Sequence, residues 1–241
     1  MKKVALIPAR YAATRFPGKL MQLLAGKPVI RHTYENTVAT GLFDEVIVAT
    51  DSEIIFTEIV SNGGKAVMSR KNHESGSDRI AEAVEPMQAD VIVNVQGDEP
   101  FVKKEPLKKL LHVFEKDEAK KINVASLMQV LKDPAFIEDP NYVKVVVDKN
   151  CNALLFSRSV IPYPRNLSIP LTYYEHIGVY AFRKQALMEF TRWAITPLEA
   201  AEKIECLRYL ENGVPIKMVI VDYMGVEIDT PEDLLRAAKY L

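Results

Sequence analysis

The chain has 241 residues, 48% of them hydrophobic and 26% charged, with a formal net charge of −1. That length suits one substantial α/β domain, and the near-neutral charge speaks against a nucleic-acid-binding surface. No apolar run approaches the roughly 18–20 residues that span a bilayer, so no membrane association is expected. The apolar part of the opening MKKVALIPAR is too short for a signal peptide, and Arg10 interrupts it. Cys151 and Cys206 form no CxxC pair, so neither a disulfide framework nor a zinc site is expected, and a reducing cytoplasm is the expected location.

In chain order, apolar runs predict strands at 3–7, 45–49, 65–68, 90–95, 122–128, 143–147, 153–156, 177–182 and 215–221. Helical patterns fall between them, at about 28–40, 52–62, 77–86, 103–117, 183–191, 197–212 and 231–240. The first strand should stop at Pro8, which has no N–H for a ladder. The first half reads βαβαβα, which predicts a doubly wound, mostly parallel sheet with helices on both faces. Residues 121–182 hold consecutive strand signals and five prolines. They predict a small antiparallel extension, for substrate or dimer contacts, within a single domain covering 1–241.

Behind the first strand stand Arg10, Arg15 and Lys19, spaced by small residues and Pro17-Gly18. Three cations on one loop repel one another unless an anion lies between them, so the loop predicts a polyphosphate cradle. The run Val91-Ile92-Val93-Asn94-Val95 delivers Gln96, Gly97 and Asp98 to a strand's carboxyl end, where open α/β sheets bind ligands. A carboxylate there suits Mg²⁺, and Gly97 lets the backbone approach a ligand. Thr230-Pro231-Glu232-Asp233 is a helix start, which leaves Asp229 on the lip of a strand end as a second candidate for the metal. In His73-Glu74-Ser75-Gly76-Ser77-Asp78-Arg79, Ser77 could cap a helix and leave Arg79 on the surface; alternatively Ser75, Gly76 and Arg79 could read a base or ribose. An isolated His73 is expected to make one structural hydrogen bond. Arg158, His176, Tyr180 and Glu205 offer a cation and several hydroxyl-pairing groups, a mixture suited to an acidic, polyhydroxylated ligand. His176 and Tyr180, four apart on one strand, should share a face.

IPARYAATRFPGK, HESGSDR, VNVQGDEP, FSRSVIP, EHIGVYAF, TPLE with AEKIE and LR, and GVEIDTPEDL occur in that order. Together they resemble the 3-deoxy-D-manno-octulosonate (Kdo) cytidylyltransferase family over essentially the whole chain. The resemblance implies a nucleotide-diphospho-sugar transferase fold of GT-A-like type, a homodimer, and transfer of CMP from CTP to the anomeric hydroxyl of Kdo for lipopolysaccharide biosynthesis. It implies that Arg10, Arg15 and Lys19 hold the triphosphate and that Asp98 and Asp229 ligate Mg²⁺. Ser75 and Arg79, with backbone near Pro8 and Ala9, would hold the cytidine. Gln96, Arg158, His176, Tyr180 and Glu205 would line the sugar pocket, with Arg158 as partner of the sugar carboxylate. The family often has Glu-Gln where this chain has Glu205-Cys206. The shorter thiol is a weak donor, so one hydrogen bond to the sugar is expected to be missing or made through water, which leaves Kdo and its 8-amino analogue both open. A CMP-sialic acid synthetase is the second enzyme reading. A catalytically silent nucleotide-sugar-binding protein is disfavoured, because the metal carboxylates and phosphate cations are all present.

Overall fold

Residues 1–12, 16–70, 73, 75–222 and 227–240 are described in the structure, a computed structural model. The chain divides into two units, Met1–Lys108 with Met224–Leu241, and Lys109–Tyr223. In the first unit come β1 (Lys3–Ala9), a hairpin of β2 (Leu23–Leu24) and β3 (Lys27–Pro28), α1 (Val29–Ala39), β4 (Glu45–Thr50), α2 (Glu53–Ser61), β5 (Ala66–Met68), α3 (Gly76–Val84) and β6 (Val91–Asn94). The helix α4 (Lys104–Glu115) carries the chain across the division. The second unit holds β7 (Val124–Leu131), α5 (Pro134–Glu138), β8 (Lys144–Val147), β9 (Ala153–Ser157), β10 (Tyr173–Arg183), α6 (Lys184–Phe190), α7 (Pro197–Glu202), α8 (Leu207–Glu211) and β11 (Ile216–Ile220). The helix α9 (Pro231–Ala237) belongs again to the first unit.

In the first unit β1 pairs in parallel with β4 and β6, and β4 pairs in parallel with β5. The chain thus steps outward from β1 to β4 to β5, then crosses back to place β6 on the other side of β1. With right-handed crossovers this reversal sets helices on both faces, the doubly wound order expected from the sequence. Val4 to Ile7 and Val91 to Val93 are completely buried, which is why both runs read as continuously apolar. The strand does not stop at Pro8: Pro8 and Ala9 pair with Ala49 and Thr50. Pairing with β6 ends at Leu6 and Asn94, and the Leu6 carbonyl accepts from Val95 on that side. The missing N–H of Pro8 points to the same side, where the ladder has ended, so it costs no bond.

In the second unit β7 is antiparallel to β10 and parallel to β11, while β8 pairs antiparallel with both β10 and β9. These antiparallel strands fall within the 121–182 stretch expected to carry them. The strand β10 starts earlier than its apolar core suggests, and its register slips between Ile177 and Tyr180. The Ser126 hydroxyl fills that bulge, lying 3.1 Å from the Ile177 carbonyl oxygen and 2.9 Å from that of Val179. The single helix predicted over 197–212 is two short ones. Lys203 turns left-handed at φ 55° and ends α7, and the Glu202 carbonyl accepts from Arg158 Nε at 2.7 Å.

Candidate active site

The carboxyl ends of β1 and β6 flank the point where the strand order reverses, the place where open α/β sheets take ligands. The loop after β6 is pinned to α1: Thr33 donates to the Gly97 carbonyl at 2.9 Å and Asn36 to that of Pro100 at 2.6 Å. Gly97 is packed so closely that a Cβ there would lie 3.0 Å from the Pro8 carbonyl oxygen. Close approach of two backbones, rather than positive φ, is what requires glycine. Ile228 donates to the Asp98 carbonyl at 3.0 Å, which lays the segment before α9 beside the loop. The Asp233 carboxylate accepts from the N–H groups of Asp229 and Thr230 at 3.1 and 2.9 Å, while Thr230 caps α9 as the sequence predicts. Asp229 is thereby fixed at the lip of the site.

Lys19 follows Gly18, whose φ of 65° opens a single 3₁₀ turn, Lys19–Met21. Its ammonium donates to Asp98 and, at 2.7 Å, to Asp229. Burial alone would lower the lysine pKa, but the two carboxylates outweigh it and raise the pKa above its usual value. The cradle of three cations is therefore altered: Lys19 sits among carboxylates, and Arg10 is exposed with no ion-pair partner among the described residues. Arg15 lies outside the described residues. Glu227 completes a cluster in which one carboxylate oxygen each of Asp98, Glu227 and Asp229 lies within 4.8 Å of the others. All-oxygen donors of this kind fit Mg²⁺, and the seated ammonium marks the spot as one that holds a cation.

Pro8, Ala9, Arg10, Lys19, Ser75, Arg79, Gln96 and Asp98 line one cavity of about 200 Å³. Gln96, expected on the sugar side, thus shares its cavity with the residues expected to hold the nucleotide. Ser75, not Ser77, caps α3, accepting from the Asp78 N–H at 3.1 Å. Arg79 is not on the surface: it is 4% exposed, with Nη2 donating to Asp51 at 2.7 Å and Nη1 to Ser69 at 2.9 Å. His73 bonds Glu82, whose carboxyl is held down at about 2: burial opposes this, but bonds from Arg70 and His73 outweigh it. Sequence reasoning missed Glu227 and Asp51. Glu227 carried a signal, since Glu-Ile-Asp puts two carboxylates on one side of an extended segment. Asp51 follows β4 directly and is free to take Arg79 because Ser52, not Asp51, caps α2.

The other residues expected to line a sugar pocket belong to the second unit. His176 and Tyr180 do share a face, their ring centroids 5.3 Å apart, because the two-residue bulge preserves strand parity. His176 Nε2 lies 3.0 Å from Ser126 Oγ, and burial pushes its pKa down to about 3, so the ring is neutral. Burial pushes the pKa values of both Tyr180 and Cys206 up. Cys206 is 1% exposed, so its thiol packs in the interior and not at an open surface. Glu205 is half-buried beside it, its charge further raising the Tyr180 pKa. Arg158 Nε donates to the Glu202 carbonyl and Nη1 to that of Pro140 at 2.9 Å, which ties the arginine to structural work.

Residues 4–219 match a family described as cytidylyltransferase. The chain is 60% identical over 241 residues to a 3-deoxy-manno-octulosonate cytidylyltransferase of Flavobacterium johnsoniae, covering 100% of this chain and 99% of that protein. It is 60% identical over 238 residues to the protein of the same name from Christiangramia forsetii, with 99% and 96% covered. A solved structure of CMP:2-keto-3-deoxy-manno-octonic acid synthetase complexed with CTP superposes with a TM-score of 0.94 at 38% identity, covering 100% of this chain and 98% of that one. On the sequence, the fold and the ordered site residues together, the chain belongs to the 3-deoxy-manno-octulosonate cytidylyltransferase family.

Proposed function

We propose that the protein transfers CMP from CTP to the anomeric hydroxyl of Kdo, releasing pyrophosphate, in the supply of activated sugar for lipopolysaccharide. The observation that carries this reading is the cluster of Lys19, Asp98, Glu227 and Asp229 at the switch point of the sheet, in a chain that superposes closely on a synthetase complexed with CTP. The sugar hydroxyl attacks the α-phosphorus in line with the leaving pyrophosphate; one P–O bond forms, one breaks, and the hydroxyl proton is lost to solvent. No covalent intermediate with the protein is needed, so the residues work by positioning and by charge.

Arg10, Arg15 and Lys19 hold the triphosphate and offset the charge that builds on the leaving group. Ser75 and Arg79, with the backbone of Pro8 and Ala9, hold the cytidine. Asp51 and Ser69 fix the Arg79 guanidinium in the cavity wall. Asp98 and Asp229, with Glu227 beside them, are the groups that would hold Mg²⁺; bound there it would offset phosphate charge and lower the pKa of the attacking hydroxyl. Tyr180, Glu205 and His176, the last as a neutral hydrogen-bonding ring, are the groups assigned to sugar recognition. The buried thiol of Cys206 supports Tyr180 and does not select between Kdo and its 8-amino analogue.

No helix among the described residues is long and apolar enough to cross a membrane. A homodimer joined through the 121–182 stretch is supported by its exposed apolar side chains, among them Tyr163 at 82% and Leu167 at 85%. The deciding experiment is pyrophosphate release with CTP, Mg²⁺ and a panel of acidic sugars. Release with CTP and Kdo, and little with UTP or with sialic acid, is expected. Preference for sialic acid would overturn the assignment of the sugar.

A further inference from the structure

The ammonium of Lys19 and a divalent cation cannot occupy the same carboxylate oxygens. Lys19 donates to both Asp98 and Asp229, two of the three carboxylates that converge within 4.8 Å. We propose that Lys19 is a displaceable occupant of the metal site: its ammonium neutralises Asp98 and Asp229 until a divalent cation takes its place, and the exchange frees the lysine for the triphosphate. The proposal rests on the reading of Asp98 and Asp229 as metal ligands.

Two features of the geometry support it. Lysine carries its charge on a flexible four-carbon stem, so the ammonium can leave the carboxylates without moving the backbone turn at Gly18. Finally, Lys19 and Arg10 line the same cavity, so a freed ammonium faces the space assigned to phosphates. The exchange has a thermodynamic consequence. While the lysine is seated, only the fraction of molecules with open carboxylates can bind metal, and the apparent affinity falls by that fraction. Metal and CTP then assist each other, because the metal clears the lysine and the freed lysine adds a cation for the phosphates.

Direct binding of Mn²⁺ to the nucleotide-free protein, followed by electron paramagnetic resonance, tests this without turnover. Lys19→Met keeps the length of the side chain and removes the competitor. It is expected to bind Mn²⁺ at least tenfold more tightly than the wild type, while Lys19→Arg stays near the wild-type value. Circular dichroism checks that each variant is folded. Equal or weaker Mn²⁺ binding by folded Lys19→Met, including no detectable binding by either protein, overturns the exchange. Adding Asp98→Asn and Asp229→Asn to Lys19→Met separates the two ideas: the tight binding should vanish. If it persists, the ion sits elsewhere and the metal-ligand reading has failed.

Discussion

Lys19 reads in the sequence as the last of three phosphate cations, yet its partners Asp98 and Asp229 lie 79 and 210 residues away in the chain. Local patterning shows which residue types reach a strand end, but not which opposite charges meet there, and so the ion pairs of Lys19 were not legible. The same holds for Arg79, buried on Asp51 across 28 residues. Two predictions belong to this scale. Asp98→Asn and Asp229→Asn should each slow turnover roughly hundredfold or more with the unfolding midpoint little changed, as measured by steady-state kinetics and circular dichroism. Gly97→Ala places a Cβ 3.0 Å from the Pro8 carbonyl oxygen and 3.3 Å from Ile30 and Leu20. It should raise the KM for CTP by about tenfold, because the end of β1 and the loop after β6, which frame the cavity, must separate. An unchanged KM would mean that Leu20 and Ile30 yield instead.

Among the elements, the largest departures from expectation have local causes that apolar periodicity does not carry. The hairpin of β2 and β3 turns on Ala25 and Gly26, both at positive φ, without the Asn-Gly or Asp-Gly that would announce it. The break after α7 falls at Lys203 in the left-handed region, where Arg158 reaches back across 44 residues to satisfy the Glu202 carbonyl. The TPLE and LR motifs are joined in the interior: Arg208 donates to both carboxylate oxygens of Glu199, at 2.7 and 2.5 Å, and stacks 4.1 Å from the Phe190 ring centroid. Arg208→Met strands a buried carboxylate and should cost about 3–5 kcal/mol in urea unfolding, part of it recovered by adding Glu199→Gln. His176 makes a pH prediction. Its pKa is about 3 in the fold, below the usual 6.5, so stability is complete above pH 6.5 and declines as the unfolded chain takes up a proton below it. Between pH 7.5 and 5.5 the loss should be about 1.4 kcal/mol, and His176→Gln should flatten that slope. An identical slope in the variant would assign the loss to other groups.

Over the whole molecule, alternating apolar runs and helical stretches were enough to read the parallel, doubly wound order of the first unit, because β1, β4 and β6 are buried on both faces. The antiparallel pairing in the second unit was legible as a density of strand signals. Its register was not, because the bulge in β10 depends on a serine across the sheet. If the exposed apolar side chains of 121–182 join two copies, light scattering should give twice the mass of the chain, and Leu167→Glu should reduce it to one. CTP is proposed to react at the carboxylate and lysine cluster between β1 and β6, and Kdo-dependent pyrophosphate release from CTP as Mg²⁺ is titrated, in the wild type and in Asp98→Asn, tests this. Release should need both Kdo and Mg²⁺ and should fall roughly hundredfold in the variant. Wild-type release by folded Asp98→Asn, or release undiminished by removal of Mg²⁺, would contradict it.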